Sequence, residues 1–127
     1  MVKKKAIDAR VFDAVFATIE ERHEQFQAGK VDSKSRTHKL FEAGVPKIAQ
    51  KLGEEAVETL IEAVRGRKKP LIEESADLLY FLAVIWAAND VTPKHVWKEL
   101  AERHGLPEEL ERAMREASKN EQDRPES

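Results

Sequence analysis

Acidic side chains occur in two short clusters whose spacing suits the binding of a cation. The clusters are EEAVE, at residues 54–58, and EESAD, at residues 73–77. Each contains carboxylates at positions i and i+3, which lie on the same face of a helix. Carboxylates this close repel each other, so a site built from them needs a counter-charge. Mg²⁺ prefers oxygen ligands and keeps waters or phosphate oxygens in its coordination shell, so it is the expected ion.

The first cluster also fits an ordinary solvent-exposed helix face. On a helical wheel the acidic residues share one sector with two lysines, and apolar residues fill the remainder. The shared sector holds Glu54, Glu55, Glu58, Glu62, Lys47 and Lys51. A metal site and a solvated face therefore both remain open for this cluster.

The second cluster is harder to interpret as a solvated face. The sequence after Asp77 is a continuous apolar run from Leu78 to Ala88, so the stripe through Glu74 and Asp77 continues into apolar surface. An unpaired carboxylate is costly to bury, and such groups are normally paired or bound to metal. Two bundle helices that each present an acidic pair are a common way to build a metal site.

Hydrophobic periodicity indicates helices throughout and no strand. It predicts helices at residues 7–26, 46–64, 70–88, 93–103 and 107–118, with a short helical stretch at 37–43. We therefore expect an all-α fold, a bundle of four to five helices forming one domain at residues 1–118, followed by a polar, disordered tail at 119–127. After Asp77 the predicted helix is apolar all round, with Tyr80, Phe81, Ile85 and Trp86. A small monomer cannot easily cover this surface, so we also expect a homodimer.

Composition excludes several classes of function. The chain has 24 acidic and 22 basic residues, which argues against nucleic acid as a partner. It has no cysteine, so disulfides, thiol catalysis and Cys-ligated metals are excluded. We find no export signal, and the longest apolar run is shorter than the roughly 20 residues that span a bilayer. We therefore expect a cytoplasmic protein with no membrane partner.

The residues around both clusters resemble the phosphoribosyl-ATP pyrophosphohydrolase family, part of the all-α NTP pyrophosphohydrolase (MazG-like) superfamily. The resemblance covers Ser35 to Val64 and Leu71 to Gly105, and is strongest in KLGEEAVET and ESADLLY. The first helix and the residues beyond Gly105 match weakly or not at all. The superfamily pattern, E-E-x-x-E followed by E-x-x-D, falls on Glu54, Glu55, Glu58, Glu74 and Asp77.

The resemblance implies a dimeric helical enzyme of histidine biosynthesis. Its substrate would be a small nucleotide, phosphoribosyl-ATP, hydrolysed between the α and β phosphates to phosphoribosyl-AMP and pyrophosphate. The implied Mg²⁺ ligands are Glu55, Glu58, Glu74 and Asp77. Glu54 would bind metal or orient the attacking water, and Glu54 and Glu55 are the candidate catalytic carboxylates.

The resemblance also implies residues that contact the substrate phosphates. Lys51 and Lys39 would face phosphates, and Ser35 and Thr37 match the family segment before Lys39. Arg36 replaces an aromatic residue that the family usually has, and we expect it to contact phosphate or base.

A second departure is Phe81, which stands where the family usually has His. Together with Arg36 it leaves open a house-cleaning (d)NTP pyrophosphohydrolase on the same fold. A non-catalytic helical dimerisation module with solvated acids is a third hypothesis, and it predicts no Mg²⁺ binding.

Overall fold

The structure is a computed structural model that describes residues 7–30, 32 and 34–123. Within these residues it contains six helices and no strand, which confirms the predicted all-α class. The expected count of four to five helices is not confirmed. The helices are α1 (Arg10–Gln27), α2 (Arg36–Ala43), α3 (Val45–Arg65), α4 (Lys68–Ala88), α5 (Pro93–Arg103) and α6 (Glu108–Gln122).

Several helix boundaries differ from those predicted. Helix α1 begins at Arg10 rather than at residue 7, and the Arg10 backbone N–H donates to Asp8 Oδ1 at 2.9 Å. Helix α4 begins at Lys68, before Pro70. Proline is tolerated there because backbone N–H groups in a first turn have no intrahelical partner.

The chain divides into two compact units, Met1–Pro93 and Lys94–Ser127. The predicted tail is partly helical, since α6 continues to Gln122, and residues 124–127 lie outside the described part of the chain. The single domain at 1–118 stays a prediction. No helix among the described residues is both long and apolar enough to cross a membrane, and the cytoplasmic location stays a prediction.

The second unit is a pair of polar helices with ion pairs along their surfaces. In α5, Arg103 Nη2 lies 2.7 Å from Glu99 Oε1, and in α6 Arg115 pairs with Glu111. Both pairs have i, i+4 spacing, which supports helices by a few tenths of a kcal/mol, about 0.2–0.5 per pair.

The core of the first unit forms around α4. The C-terminal half of this helix supplies Phe81, Ala83, Val84 and Ala87, all buried. The other buried apolar residues come from the three preceding helices: Phe16 and Ile19 of α1, Leu40 and Phe41 of α2, and Ile48 of α3. The apolar run after Asp77 is therefore a core helix, and the acidic cluster lies at the edge of that core.

Helices α3 and α4 form a tight hairpin. Gly66 ends α3 in the left-handed conformation, with φ of 68°, which glycine adopts without steric cost. Only Gly66 and Arg67 separate the two helices, so they run antiparallel. This arrangement places the middle of α3 beside the N-terminal half of α4.

An ion pair between buried Glu62 and exposed Arg67 holds this turn. Glu62, only 9% exposed, accepts hydrogen bonds from Arg67 Nε at 2.7 Å and Arg67 Nη2 at 2.6 Å. The hydrogen bonds from Arg67 lower the pKa of Glu62. Placing Glu62 in the solvated sector of the first cluster is therefore wrong, because its carboxylate is buried and neutralised by the arginine that follows the turn.

We expect Glu62→Gln to lower the melting temperature at neutral pH, because it removes the charge that Arg67 binds. The folded pKa of Glu62 is lowered, so its stabilisation is complete above the ordinary glutamate pKa of about 4.3 and is lost as pH falls through the lower folded pKa. Thermal unfolding can be monitored by circular dichroism at several pH values. The difference in melting temperature between the variant and wild type should shrink as pH falls from about 4.3 through the folded pKa of Glu62.

The control is Glu108→Gln in α6, since the side chain of Glu108 is 87% exposed and 3.7 Å from Arg112. Exposed pairs contribute little, so this variant should match wild type at every pH. Equal melting temperatures for Glu62→Gln and wild type at neutral pH would contradict the structural role of the pair.

Candidate active site

The α3–α4 hairpin brings the two acidic clusters together. One carboxylate oxygen from each of Glu55, Glu58 and Glu74 lies within 4.8 Å of the other two. Glu55 and Glu74 are half-buried and Glu58 is exposed. The interpretation of the first cluster as a solvent-exposed face is therefore wrong for Glu55, whose side chain lies toward α4.

Two of these carboxylates carry a buried oxygen with no hydrogen-bond partner. They are Glu55 Oε2 and Glu74 Oε2, within the described part of the chain. A buried carboxylate oxygen without a partner is costly, and native structures rarely contain one that no ion or water satisfies. The donor set consists of oxygens alone, so it fits a hard divalent cation such as Mg²⁺.

Contacts within the carboxylate cluster raise the pKa of Glu58 and of Glu74. The pKa of Glu58 is raised, chiefly by its contact with the Glu74 carboxylate and then by the charge of Glu74. The pKa of Glu74 is also raised, chiefly by its contact with Glu55, with desolvation adding to the effect. Glu58 and Glu74 thus interact mainly with other carboxylates, which is the condition under which a cation binds.

Asp77 and Glu54 flank the convergent group without joining it. The charge of half-buried Asp77 contributes to the raised pKa of Glu74, and that of exposed Glu54 to the raised pKa of Glu58. Glu54 Oε1 accepts a hydrogen bond from Gln50 Nε2 at 3.0 Å. Their predicted roles as metal ligand and catalytic carboxylate stay predictions.

The start of α2 lies against α4 next to the acidic residues. Ser35 caps α2, its Oγ accepting from the His38 N–H at 3.1 Å. Thr37 Oγ1 lies 2.6 Å from Tyr80 Oη. The Arg36 guanidinium lies over the rings of Tyr80 and Phe81, 5.0 Å from each centroid.

The two lysines predicted to contact phosphates, Lys39 and Lys51, differ in their exposure. Lys39 is exposed on α2, and Lys51 is half-buried on α3, one turn before Glu55. Their contacts with substrate phosphates stay predictions.

Sequence reasoning missed Tyr80 as part of this region. It is the single tyrosine of the chain and follows Asp77 by three residues, so it neighbours Asp77 on the surface of α4. That spacing was the available signal. Its partner Thr37 is 43 residues away, a separation that local patterns do not reveal.

Comparison with known proteins identifies the family. A family model described as phosphoribosyl-ATP pyrophosphohydrolase matches residues 12–104, which include all of the acidic residues above and the start of α2. The chain belongs to the phosphoribosyl-ATP pyrophosphohydrolase family. This confirms the family predicted from the two motif blocks, and with it the prediction of an enzyme that cleaves a nucleotide phosphoanhydride.

Relatives in this family match over most of the chain. The phosphoribosyl-ATP pyrophosphatase of Azospirillum brasilense is 52% identical, over 78% of this chain and 85% of the relative. That of Parvibaculum lavamentivorans is 44% identical, over 87% of this chain and 96% of the relative. The histidine biosynthesis bifunctional protein HisIE of Bacteroides thetaiotaomicron is 46% identical, over 68% of this chain and 40% of the relative.

The family match covers more of the chain than the two motif blocks. It begins at residue 12, inside α1, so it extends beyond the segments that carried the resemblance, which began at Ser35. It ends at residue 104, so α6 lies outside it. Membership in the phosphoribosyl-ATP pyrophosphohydrolase family therefore rests mainly on the first unit.

We expect Glu74→Gln to raise the melting temperature by a few degrees when divalent cations are removed with EDTA. The substitution removes one of three repelling charges, and the neutral amide can donate a hydrogen bond to a remaining carboxylate. Thermal unfolding in EDTA measures the effect.

The matched control is Glu73→Gln, one residue earlier on α4, where the side chain is exposed and outside the convergent group. It should leave the melting temperature unchanged. A Glu74→Gln protein less stable than wild type in EDTA would show that the three carboxylates are not under mutual repulsion.

Proposed function

We propose that this protein hydrolyses phosphoribosyl-ATP to phosphoribosyl-AMP and pyrophosphate in histidine biosynthesis, with Mg²⁺ as cofactor. The observation that carries the proposal is the convergence of Glu55, Glu58 and Glu74, with two unpartnered buried oxygens, in a member of this family. A relative that is 52% identical is named phosphoribosyl-ATP pyrophosphatase. The name of another relative includes histidine biosynthesis.

The three convergent carboxylates would hold the cation, and Asp77 would be a further ligand. Cleavage of a phosphoanhydride needs little covalent chemistry from the protein, but it needs neutralised phosphate charge and a water aimed at phosphorus. Bound Mg²⁺ supplies charge neutralisation and polarisation of the phosphoryl oxygens.

The proton of the attacking water needs an acceptor, for which Glu54 and Glu55 are the candidates. Gln50 holds one oxygen of Glu54, which orients the carboxylate and leaves its second oxygen to accept the proton. Glu55 is the alternative, since its buried Oε2 is without a partner in the described residues. The Pα–O–Pβ bridge then breaks, and the electron pair leaves with pyrophosphate.

Basic and hydroxyl side chains would bind the phosphates. Lys39 and Lys51 would act as point charges, and Arg36 as a planar fork able to bind two oxygens. The Ser35 oxygen already accepts from a backbone N–H, so its own hydrogen is free to donate to phosphate. Thr37 would supply the second hydroxyl.

A house-cleaning (d)NTP pyrophosphohydrolase is the alternative function. The structure brings its two motivating residues into contact, because Arg36 lies over the Phe81 ring. Two departures from the family pattern that contact each other beside the acidic cluster favour a change in which nucleotide is preferred. The non-catalytic module is disfavoured, since it requires solvated acids and Glu55 and Glu74 are half-buried.

A substrate panel tests the proposed reaction. Pyrophosphate release with Mg²⁺ should be far more efficient from phosphoribosyl-ATP than from the common NTPs and dNTPs. Glu58→Gln should lower kcat/KM by at least about 100-fold, because it removes a ligand charge, whereas the neighbouring control Glu73→Gln should not. Preferential turnover of a plain NTP or dNTP would favour the alternative function.

We further propose that the protein is a homodimer. Several large apolar side chains on α3 and α4 are exposed in the single chain, and Val64 is 84% exposed. They lie at helical spacing on faces that point away from the core: Val57, Leu60, Ile61 and Val64 of α3, and Ile72 and Leu79 of α4. Contiguous apolar patches of this kind usually mark an interface, and a second copy would cover them.

Sedimentation equilibrium should give twice the 14.5 kDa mass of one chain. Leu60→Glu on α3 should convert the protein to a monomer, because it places a charge within the apolar face. Leu110→Glu, at an exposed position of α6, is the control and should remain a dimer. A wild-type monomer, or a dimeric Leu60→Glu protein, would contradict this interface.

A further inference from the structure

Tyr80 makes two of the contacts that attach the start of α2 to α4. Its hydroxyl lies 2.6 Å from Thr37 Oγ1. Its ring lies beneath the Arg36 guanidinium, whose Cζ is 5.0 Å from the ring centroid. Tyr80 therefore fixes two neighbouring residues of α2 that the proposed function assigns to phosphate binding.

The support beneath Arg36 is rigid. The Tyr80 and Phe81 rings pack edge to face, with centroids 5.3 Å apart and planes inclined at 68°. Phe81 is 2% exposed and belongs to the core, so the ring pair cannot easily move. Holding a long arginine side chain in one geometry normally costs conformational entropy. A guanidinium that already rests on two rings loses less of that entropy when it binds an anion.

The hydrogen-bonding capacity of this group favours an anion. Thr37 and Tyr80 together carry two hydroxyl hydrogens and use one of them between the two oxygens. The other hydrogen remains available to an acceptor. The guanidinium of Arg36 carries hydrogen-bond donors and no acceptor, and Arg36 is exposed to solvent. A phosphate group, which offers acceptors and negative charge, matches this set of donors.

The group also lies where a polyphosphate can reach it. Tyr80 is six residues after Glu74 on α4, which corresponds to about 9 Å along the helix axis at 1.5 Å per residue. Asp77 lies halfway between them along the axis, three residues from each. A nucleotide whose phosphates lie at the carboxylate cluster can therefore extend along α4 to Arg36 and Thr37.

We propose that Tyr80 is a positioning residue that, with Phe81, holds Arg36 and Thr37 ready to bind the polyphosphate of the nucleotide. This inference rests on the proposed function and adds to it two residues outside the carboxylate pattern. Tyr80 acts through its neighbours and takes no part in bond cleavage.

Calorimetric titration with pyrophosphate in the presence of Mg²⁺ tests the proposal without requiring turnover. Tyr80→Phe, which keeps the ring and removes the hydroxyl, should weaken binding by about 3- to 10-fold, the range of one hydrogen bond. Tyr80→Leu, which also removes the ring beneath Arg36, should weaken it by about 10- to 30-fold. In turnover the loss should appear in KM, with kcat within about twofold of wild type.

A double-mutant cycle separates positioning from general stability. In an Arg36→Gln, Thr37→Val background, Tyr80→Leu should weaken pyrophosphate binding no further, because the residues it positions are gone. The matched controls are Arg112→Gln on α6 and Thr18→Val on α1, whose hydroxyl only contacts Ala14 O at 3.3 Å. Both controls should bind pyrophosphate as wild type does.

The outcomes distinguish this inference from the proposed function. Pyrophosphate affinity unchanged in Tyr80→Phe and Tyr80→Leu overturns the inference, even if phosphoribosyl-ATP is hydrolysed. An additive loss in the double-mutant cycle overturns it as well. Tyr80-dependent binding in a protein that does not hydrolyse phosphoribosyl-ATP supports the inference and overturns the proposed substrate. If Tyr80→Leu does not fold, the milder Tyr80→Phe decides the question.

Discussion

The electrostatic repulsion among Glu55, Glu58 and Glu74 is the constraint on which the rest of this structure depends. Oxygens of three carboxylates lie within 4.8 Å of one another, and two buried oxygens lack a partner among the described residues. Such an arrangement persists only if the surrounding structure enforces it. The short α3–α4 turn and the ion pair between Glu62 and Arg67 provide that enforcement.

One face of α3 shows how the same helix meets three different environments. Ile48, Glu55 and Glu62 follow each other at intervals of seven residues, two helical turns, and so lie on one face. Ile48 is fully buried in the core, Glu55 contributes to the carboxylate cluster, and the buried Glu62 pairs with Arg67. The core at one end of the hairpin and the ion pair at the other hold the carboxylates between them. Stability at both ends thus supports a costly arrangement in the middle.

Much of this structure could be predicted from the sequence, because the signals are local. Carboxylates at i and i+3 and the apolar run after Asp77 indicated two helices that each carry acids. The orientation of α3 was not predictable in the same way. A helical wheel shows that two faces differ, but not which one packs inward, and the structure exposes Val57 and Leu60 while it buries Glu62. The wheel is ambiguous because α3 has apolar residues on more than one face.

Long-range contacts were the other part that the sequence did not reveal. Arg36 and Phe81 each stood out as a departure from the family pattern, but their contact depends on how α2 packs against α4. Tyr80 was expected only as part of the apolar surface that a dimer covers, because its partner Thr37 is distant along the chain. Contacts of this kind follow from tertiary packing, which residue spacing within one helix does not encode.

A cation at the carboxylate cluster is the central requirement of the proposed function. A crystal structure of the protein grown with Mn²⁺ in place of Mg²⁺ would locate bound ions through their anomalous scattering. We predict an anomalous peak at about 2.0–2.3 Å, the distance range of Mg²⁺-type oxygen coordination, from an oxygen of each of Glu55, Glu58 and Glu74. The proposed cation site is contradicted if the three carboxylates are ordered but no anomalous peak lies between them, at a Mn²⁺ concentration that supports activity.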